Sequence, residues 1–448
     1  MIKFRVIIFL LAQALVLQAF VYGQVLNASH SRLQMSDKAK AYTDAKLLHI
    51  PKGYLKNLHW NLLLDSIGKN GSRVVWKSGN VNYIKDNGEL VRQSPRNSKP
   101  IKVKMTATVS AGSYKQVRSF IATIAPEEQK YDGYLFAYFE GSGPREQQEQ
   151  LRFGVSDDAV NWFALNKNQP IIPSANISAT GGIRDPHILR GEDGMHFYMV
   201  ATDMHTVKNG WDYNPGIVML KSDDLIHWSH GVIDLEKSYP GKFPNVKWVW
   251  APQTIYDPAV SKYMVYFTVR LKDDPALNFY CAYANKDFTG FETEPKLMFE
   301  SRFGAIDGDI IYKDGLYHFF YKGNTKNNIG KEVENGIQQA IGKSLKGPWV
   351  EDFKYVDAYS SQHVSVEGSG IFKLNNKNAY VLMYDLYRDH RYEFQRSDDL
   401  FHFSQKPESF TKDFNPRHGT VISITREEAL RLNNKWGGVP ARLLTAGK

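Results

Sequence analysis

One short pattern recurs five times along this 448-residue chain: a turn-forming Ser or Asn, followed about six residues later by an aromatic. The copies run Ser156 to Trp162, Ser222 to Trp228, Asn285 to Phe291, Ser344 to Trp349 and Ser397 to Phe403, and three of them open Ser-Asp-Asp. Their starts lie 53 to 66 residues apart. Self-similarity at such a period restricts a chain to architectures that repeat one supersecondary unit, because a single unit cannot bury its own apolar faces.

A second series keeps step with the first. The aromatic-rich stretches Tyr134 to Phe139, Phe197 to Thr202, Tyr263 to Thr268, Tyr317 to Lys322 and Tyr380 to Asp385 have strand composition. Asp132-Gly133, Asp193-Gly194 and Asp314-Gly315 precede three of them, and these dipeptides tolerate the positive φ of tight hairpins. A further strand precedes four units: Arg184 to Arg190, Ala251 to Tyr256, Ile306 to Lys313 and Val366 to Leu374. Each unit reads strand, tight turn, strand, strand, Ser-Asp-Asp turn, which is the four-stranded blade of a propeller. The expected fold class is therefore all-β, with a five-bladed β-propeller over residues 131–445. The first unit lacks its leading strand, and His418 to Thr425 is left over. That spare strand is expected to complete the first blade, joining the ends of the ring and removing its open edges.

Residues 36–128 do not share the period. Val74-Val75-Trp76, Glu89 to Arg92, Val103 to Val109 and Phe120 to Ile124 read as short strands between turn clusters, which suits a small β-sandwich. With Trp76-Lys77-Ser78, Asp86-Asn87-Gly88 and the strand from Met105 before Gly112-Ser113, the stretch resembles the bacterial immunoglobulin-like domain, and a spacer role is expected.

The first residues carry a secretory pattern: Lys3 and Arg5, an apolar run from Val6 to Phe20, and small residues up to a cleavage point after Gly23. Residues 1–23 are thus expected to be a signal peptide, with a periplasmic or extracellular destination and no membrane span after cleavage. Cys281 is the only cysteine, so an exported chain must rely on core packing and not on disulfides. The formal charge is +9, but the basic residues are scattered with no arginine-rich tract or basic helix. This argues against nucleic acid as a partner and leaves attraction to an acidic polysaccharide open.

The innermost strands of a propeller run the same way, so residues at their starts meet at one end of the axis. Those starts carry Asp185 in Arg184-Asp185-Pro186-His187, Trp250 to Gln253, Asp307 in Ile306-Asp307-Gly308-Asp309, Glu367 in Val366-Glu367-Gly368, and His418 in Pro416-Arg417-His418-Gly419. Three blades are expected to place an acid at equivalent positions. Carboxylates gathered in one channel repel, so one of them should hold a proton near neutral pH. Glycoside hydrolysis needs such a set: a protonated acid for the leaving oxygen and an ionised base for water, about 6.5–9.5 Å apart in inverting enzymes.

On four motifs, Arg184-Asp185-Pro186, Trp250-Ala251-Pro252, Ile306-Asp307 and Val366-Glu367-Gly368, the region resembles glycoside hydrolase family 43, whose members are inverting enzymes acting mostly on arabinosyl, xylosyl and galactosyl linkages. The resemblance implies Asp185 as general base, Glu367 as general acid and Asp307 as the residue that orients the acid. Asp309 competes with Asp307, since strand alternation sends both to one face. Gly368 is expected to let substrate approach, and Arg184 to keep the base ionised. Trp250 offers a flat face to a sugar ring, while Gln253, His187 and Lys322 are candidates for binding hydroxyls. His418 resembles the family's axial histidine, which contacts substrate or a metal-bound water. No cofactor is required by this reading; calcium at the axis stays open, with no acidic calcium loop in the sequence.

No zinc-protease, Walker or nucleophile-elbow motif is present. The expected partner is a polysaccharide or oligosaccharide substrate, with terminal α-L-arabinofuranosyl residues preferred because the long loop Glu140 to Gln150 would narrow the channel. β-Xylosidase or exo-galactosidase action, and a noncatalytic glycan-binding propeller, are the alternatives.

Overall fold

The computed structural model describes residues 35–91 apart from 57 and 59, 100–125, and 130–445 apart from 303 and 324–334. The expected signal peptide lies outside the described residues. No described helix is long and apolar enough to cross a membrane. The described residues divide into two compact units: those within 1–50, 62–92 and 102–123 form one, and those within 51–61, 93–101 and 124–448 the other.

The first unit holds a helix, Asp37–Leu47, and one antiparallel sheet of Arg73–Ser78, Ile101–Ala111 and Tyr114–Ile124 in that order. Ser36 caps the helix by accepting from Ala39 N–H. Arg73–Ser78 alternates exposed and buried residues, the period of a sheet with one covered face. Of the strand expected at Glu89 to Arg92, Arg92 lies outside the described residues; the rest folds back over the Asp86-Asn87-Gly88 turn with a bridge between Leu90 and Ile84, Lys85 N–H donating to Glu89 O and Val91 N–H to Tyr83 O.

The second unit is the expected five-bladed propeller. Blade II consists of Ile183–Arg190, Phe197–Asp203, Gly216–Ser222 and Trp228–Asp234 from the axis outward. Blade III has Val246–Asp257, Lys262–Leu271, Asn278–Tyr283 and Lys296–Phe299, and blade IV has Ala305–Lys313, Leu316–Gly323, Gly336–Gly342 and Trp349–Glu351. Blade V has three strands, Glu367–Lys373, Tyr380–Leu386 and Arg391–Ser397. In blade I the innermost strand is Thr420–Ile424, paired antiparallel with Gly133–Tyr138, so the leftover strand closes the ring as expected. Each inner strand packs on the next, and that of blade I packs on both blade V and blade II.

Five apolar clusters fill the five gaps between blades. Leu135 and Ala137 face blade II, whereas Tyr134, Phe136 and Tyr138 face blade V. Both faces of the strand are covered, which explains an apolar run where a half-exposed strand would alternate. A buried aromatic such as Phe136 contributes on the order of 2–3 kcal/mol through lost water contact.

The Ser-Asp-Asp repeat is the device that turns the chain after the third strand of blades I, II and V. Ser222 Oγ accepts from the N–H groups of Asp224 and Leu225, at 3.1 and 2.9 Å, and Asp224 Oδ1 accepts from Ile226 and His227 N–H. Leu225 sits at φ 69° with its side chain fully buried. Ser156 with Asp158 and Ser397 with Asp399 repeat the arrangement. The two polar side chains satisfy amides that a tight bend strips of partners, which is why the residues recur.

Candidate active site

A common backbone irregularity builds the site. In blade II Arg184 pairs with Thr202 and His187 with Val200, so three steps on the inner strand oppose two on its neighbour. The same extra residue lies between Trp250 and Gln253, between Ile306 and Asp309, and between Glu367 and Gly370. Inside these bulges Asp185, Ala251, Asp307 and Gly368 take φ of 51°, 43°, 52° and 68°. Left-handed backbone costs a non-glycine residue roughly 1–2 kcal/mol, and here it re-aims side chains at the mouth of the axis.

The bulges correct two expectations. Asp185 and Asp307 occupy matching positions, but Glu367 stands one residue earlier, level with Arg184 and Trp250, so the three acids are not equivalent. Alternation also fails as a guide to Asp307 and Asp309, because the extra residue interrupts it. Asp309 lies deeper, accepting from Ile371 N–H at 2.8 Å and standing 3.5 Å from His187 Nε2.

The mouth gathers Asp185, Asp307 and Glu367 around His418. His418 Nδ1 lies 3.4 Å from Asp185 Oδ1 and 4.0 Å from Asp307 Oδ1, ion-pair separations outside hydrogen-bond geometry. Burial opposes charge on the imidazole, yet Asp185, Asp307 and Glu367 push its pKa up to about 9, so His418 is a cation at neutral pH. Asp185 is held below the usual carboxylate range: burial works against it, but His418, Arg184 and a 2.9 Å hydrogen bond from Thr202 Oγ1 outweigh burial. Asp307 is driven the other way, up to about 6, by burial and the neighbouring charges of Glu367 and Asp185, with His418 opposing. Its Oδ2 accepts from Gly368 N–H at 3.0 Å, tying it to the strand that carries Glu367.

Gly368, expected to let substrate approach, also stands against His418: a Cβ there would come within 2.9 Å of the histidine's Cβ, and its φ of 68° favours glycine.

Glu367 is the most exposed of the three acids, flanked by Lys322 Nζ at 3.6 Å and Arg417 Nη2 at 3.6 Å. Arg417 Nε also donates to Asp385, a buried carboxyl directly across the strand pair from Glu367. Burial and the charge of Glu367 push Asp385 up to about 7, against the pull of Arg417. Sequence reasoning missed Arg417 and Asp385. Arg417 adjoins His418, and Asp385 occupies the register position held by Thr202 and Lys322 in blades II and IV. The ends of second strands thus supply a supporting layer that alignment of the repeats could have revealed.

The other expected residues divide by depth. Trp250 is half-buried at the rim, stacked on Trp248 with centroids 4.1 Å apart, and its indole N–H has no acceptor among the described residues. Arg184 is clamped by Glu149 at 2.9 Å and lies over the Phe139 and Trp211 rings. Glu149 belongs to the loop of blade I between Gly133–Tyr138 and Arg152–Ser156 and also accepts from Thr206, so that loop is fastened beside Asp185. His187 and Gln253 are buried in the layer below the acids.

A calcium ion does not fit this layer as a protein-held ion. Calcium takes six to eight oxygen ligands. Asp309 is already engaged, Thr420 Oγ1 serves Ile188 N–H and Pro186 O, and no cluster of His, Cys, Asp or Glu suited to a metal occurs among the described residues.

Comparison with known proteins places this geometry in context. The family profile described as a probable glycosyl hydrolase domain, related to glycoside hydrolase family 43, matches residues 129–429. An atrophied bacterial immunoglobulin domain matches residues 43–127, in keeping with the single sheet there. An α-L-arabinofuranosidase of Bifidobacterium longum subsp. longum is 25% identical over 338 residues, 65% of this chain. The match takes in 31% of that protein, so the chain spans about a third of its length. Among solved structures, an endo-arabinase from Bacteroides thetaiotaomicron superposes with a TM-score of 0.42 at 14% identity, covering 66% of this chain and 95% of that one. An α-L-arabinofuranosidase from Lactobacillus brevis gives 0.35 at 15% identity, covering 53% and 77%.

Proposed function

The chain belongs to the glycosyl hydrolase family related to glycoside hydrolase family 43, and from that premise we propose that it removes terminal α-L-arabinofuranosyl residues from a plant-type polysaccharide with inversion. The observation that carries the reading is the gathering of Asp185, Asp307 and Glu367 around one cationic histidine, with Asp185 held below the ordinary carboxylate range and Asp307 above it. Inverting glycoside cleavage needs an ionised base and a separate acid: Asp185 suits the first role, the more exposed Glu367 the second, and Asp307 a positioning role beside it.

In this mechanism Asp185 accepts a proton from water as the water oxygen bonds to the anomeric carbon. Glu367 donates its proton to the glycosidic oxygen as that bond breaks. Asp307, bound to Gly368 N–H, positions the segment bearing Glu367. Trp250 and Trp248 supply a flat apolar wall for the sugar. The fastened loop carrying Glu149 supports action at a chain end, and the name of the Bifidobacterium relative supports arabinofuranose over xylose or galactose. The basic and apolar pattern of the first 23 residues supports export to the periplasm or medium.

The test is release of sugar from aryl α-L-arabinofuranoside, β-D-xyloside and β-D-galactoside, then from arabinan, arabinoxylan and arabinogalactan. Wild type should release arabinose alone, and Glu367→Gln should lose at least about 100-fold on polysaccharide. Release of another monosaccharide corrects the sugar. Binding of a polysaccharide by both proteins with no release by either would replace hydrolysis with glycan binding.

A further inference from the structure

Beside the acids of the mouth stands a buried carboxyl that takes no part in the steps above. Asp385, near the end of Tyr380–Leu386, pairs directly across from Glu367 at the start of the inner strand of blade V. Residues opposite each other in an antiparallel pair carry their side chains on one face, with Cβ atoms about 5 Å apart. Register therefore sets two carboxyls side by side, one half-buried and one fully buried.

Both face the same cation. Arg417 Nε donates to Asp385 Oδ2, while Nη2 of the same guanidinium lies 3.6 Å from Glu367 Oε1. A guanidinium is planar and rigid, so its two ends cannot be aimed independently. Arg417 is also fixed from behind: its backbone N–H donates to Phe139 O, and its guanidinium lies 5.9 Å from the centre of the Phe139 ring.

Asp385 has no other hydrogen bond. Its Oδ1 is buried without a partner among the described residues. The other titratable groups around it are Tyr392, opposite on the next strand, and the His418 cation. A carboxyl retained only to fasten the chain would use both oxygens, because an unpaired buried oxygen is costly. Glu367 is faced in turn by Lys322 Nζ at 3.6 Å, by Arg417, and by Asp307 and His418. Two cations beside a carboxyl favour its ionised form, which a general acid has to avoid.

The two carboxyls compete for one negative charge, since burial and the charge of Glu367 are what push Asp385 up to about 7. Geometry decides the contest. Arg417 gives Asp385 a hydrogen bond and only approaches Glu367, so the charge is stabilised on Asp385. We propose that Asp385 is a positioning residue for the general acid: it takes the negative charge beside Arg417, and Glu367 thereby keeps the proton that it delivers to the glycosidic oxygen. This inference rests on the reading of Glu367 as general acid.

The experiment compares the full chain with Asp385→Asn, both labelled with carbon-13 at the glutamate carboxyls, by NMR titration; the Glu367 signal is assigned by its loss in Glu367→Gln. Without its competitor Glu367 should lose its proton at least about one pH unit lower than in wild type. The basic limb of kcat/KM should move with it on the alkyl counterpart of the aryl glycoside that wild type cleaves, a loss of about 10-fold above the limb. The nitrophenyl glycoside, whose leaving group needs little protonation, should lose far less. A structural role alone would lower the profile equally at every pH and leave Glu367 titrating as in wild type. That result, or a basic limb that stays in place, overturns the proposal. If Glu367 titrates lower in the variant while Glu367→Gln still cleaves the alkyl glycoside at the wild-type rate, the shared proton stands and the general-acid reading falls. Should Asp385→Asn not fold, wild type decides: the Glu367 signal should follow two steps as charge forms on Asp385 beside it, and a single step overturns the coupling.

Discussion

Replacing His418 with Gln removes the cation on which the acids converge. Its pKa of about 9, against an ordinary 6.5, means that the carboxylates overcome burial and still add a net attraction of roughly 3 kcal/mol. Asp185, at 3.4 Å, is the nearest of the three contributors. Coupling is mutual, so Asp185 loses a share of that attraction, on the order of 1–2 kcal/mol of stabilisation of its charged form. The acid limb of kcat/KM, which reports ionisation of the proposed base in free enzyme, should then rise by about one pH unit. The assay is the pH profile of aryl α-L-arabinofuranoside hydrolysis by both proteins, with NMR titration of the wild-type imidazole. An acid limb displaced by less than about 0.3 pH unit, or an imidazole titrating near its ordinary value, would refute the argument.

Asp307→Asn should trade activity for stability. The folded-state pKa of Asp307, about 6, lies above the ordinary 3.8, so its contribution is most favourable below pH 3.8 and is lost as pH rises through 6. The variant should therefore unfold at higher urea than wild type at pH 8, by on the order of 1–3 kcal/mol, and show no gain at pH 4. A gain equal at both pH values would contradict the linkage. Ser222→Ala leaves the amides of Asp224 and buried Leu225 without their acceptor and should cost about 1–2 kcal/mol in urea unfolding, with kcat/KM unchanged. Trp250→Ala should raise KM about 10-fold with a smaller change in kcat; a loss confined to kcat would mean that the ring does not bind ground-state sugar.

Five blades were legible because the fold is local and repeated. Each blade announces itself through turn chemistry, Ser and Asp for stripped amides and Asp-Gly for positive φ, and through strands apolar on both faces. Closure by Thr420–Ile424 was legible too, since a unit without its leading strand and a strand without a unit complete each other. The identities of Asp185, Asp307, Glu367 and His418 came from the strand starts and the family motifs, and the structure brings all four to one mouth. Phase was not legible. A bulge changes which way a side chain points without changing which residues are present, so Glu367 could not be told from a residue in step with Asp185. Nor could Asp385 and Arg417 be found from spacing, because their meeting depends on the pairing of two strands of blade V and on the return of the chain end to blade I. Sequence by itself determined the repeat, its strands and the chemical types at the axis, since those depend on neighbours a few residues away. Only the tertiary structure decided depth, phase and charge, because burial and the distance between ions are properties of a closed ring and of no single blade.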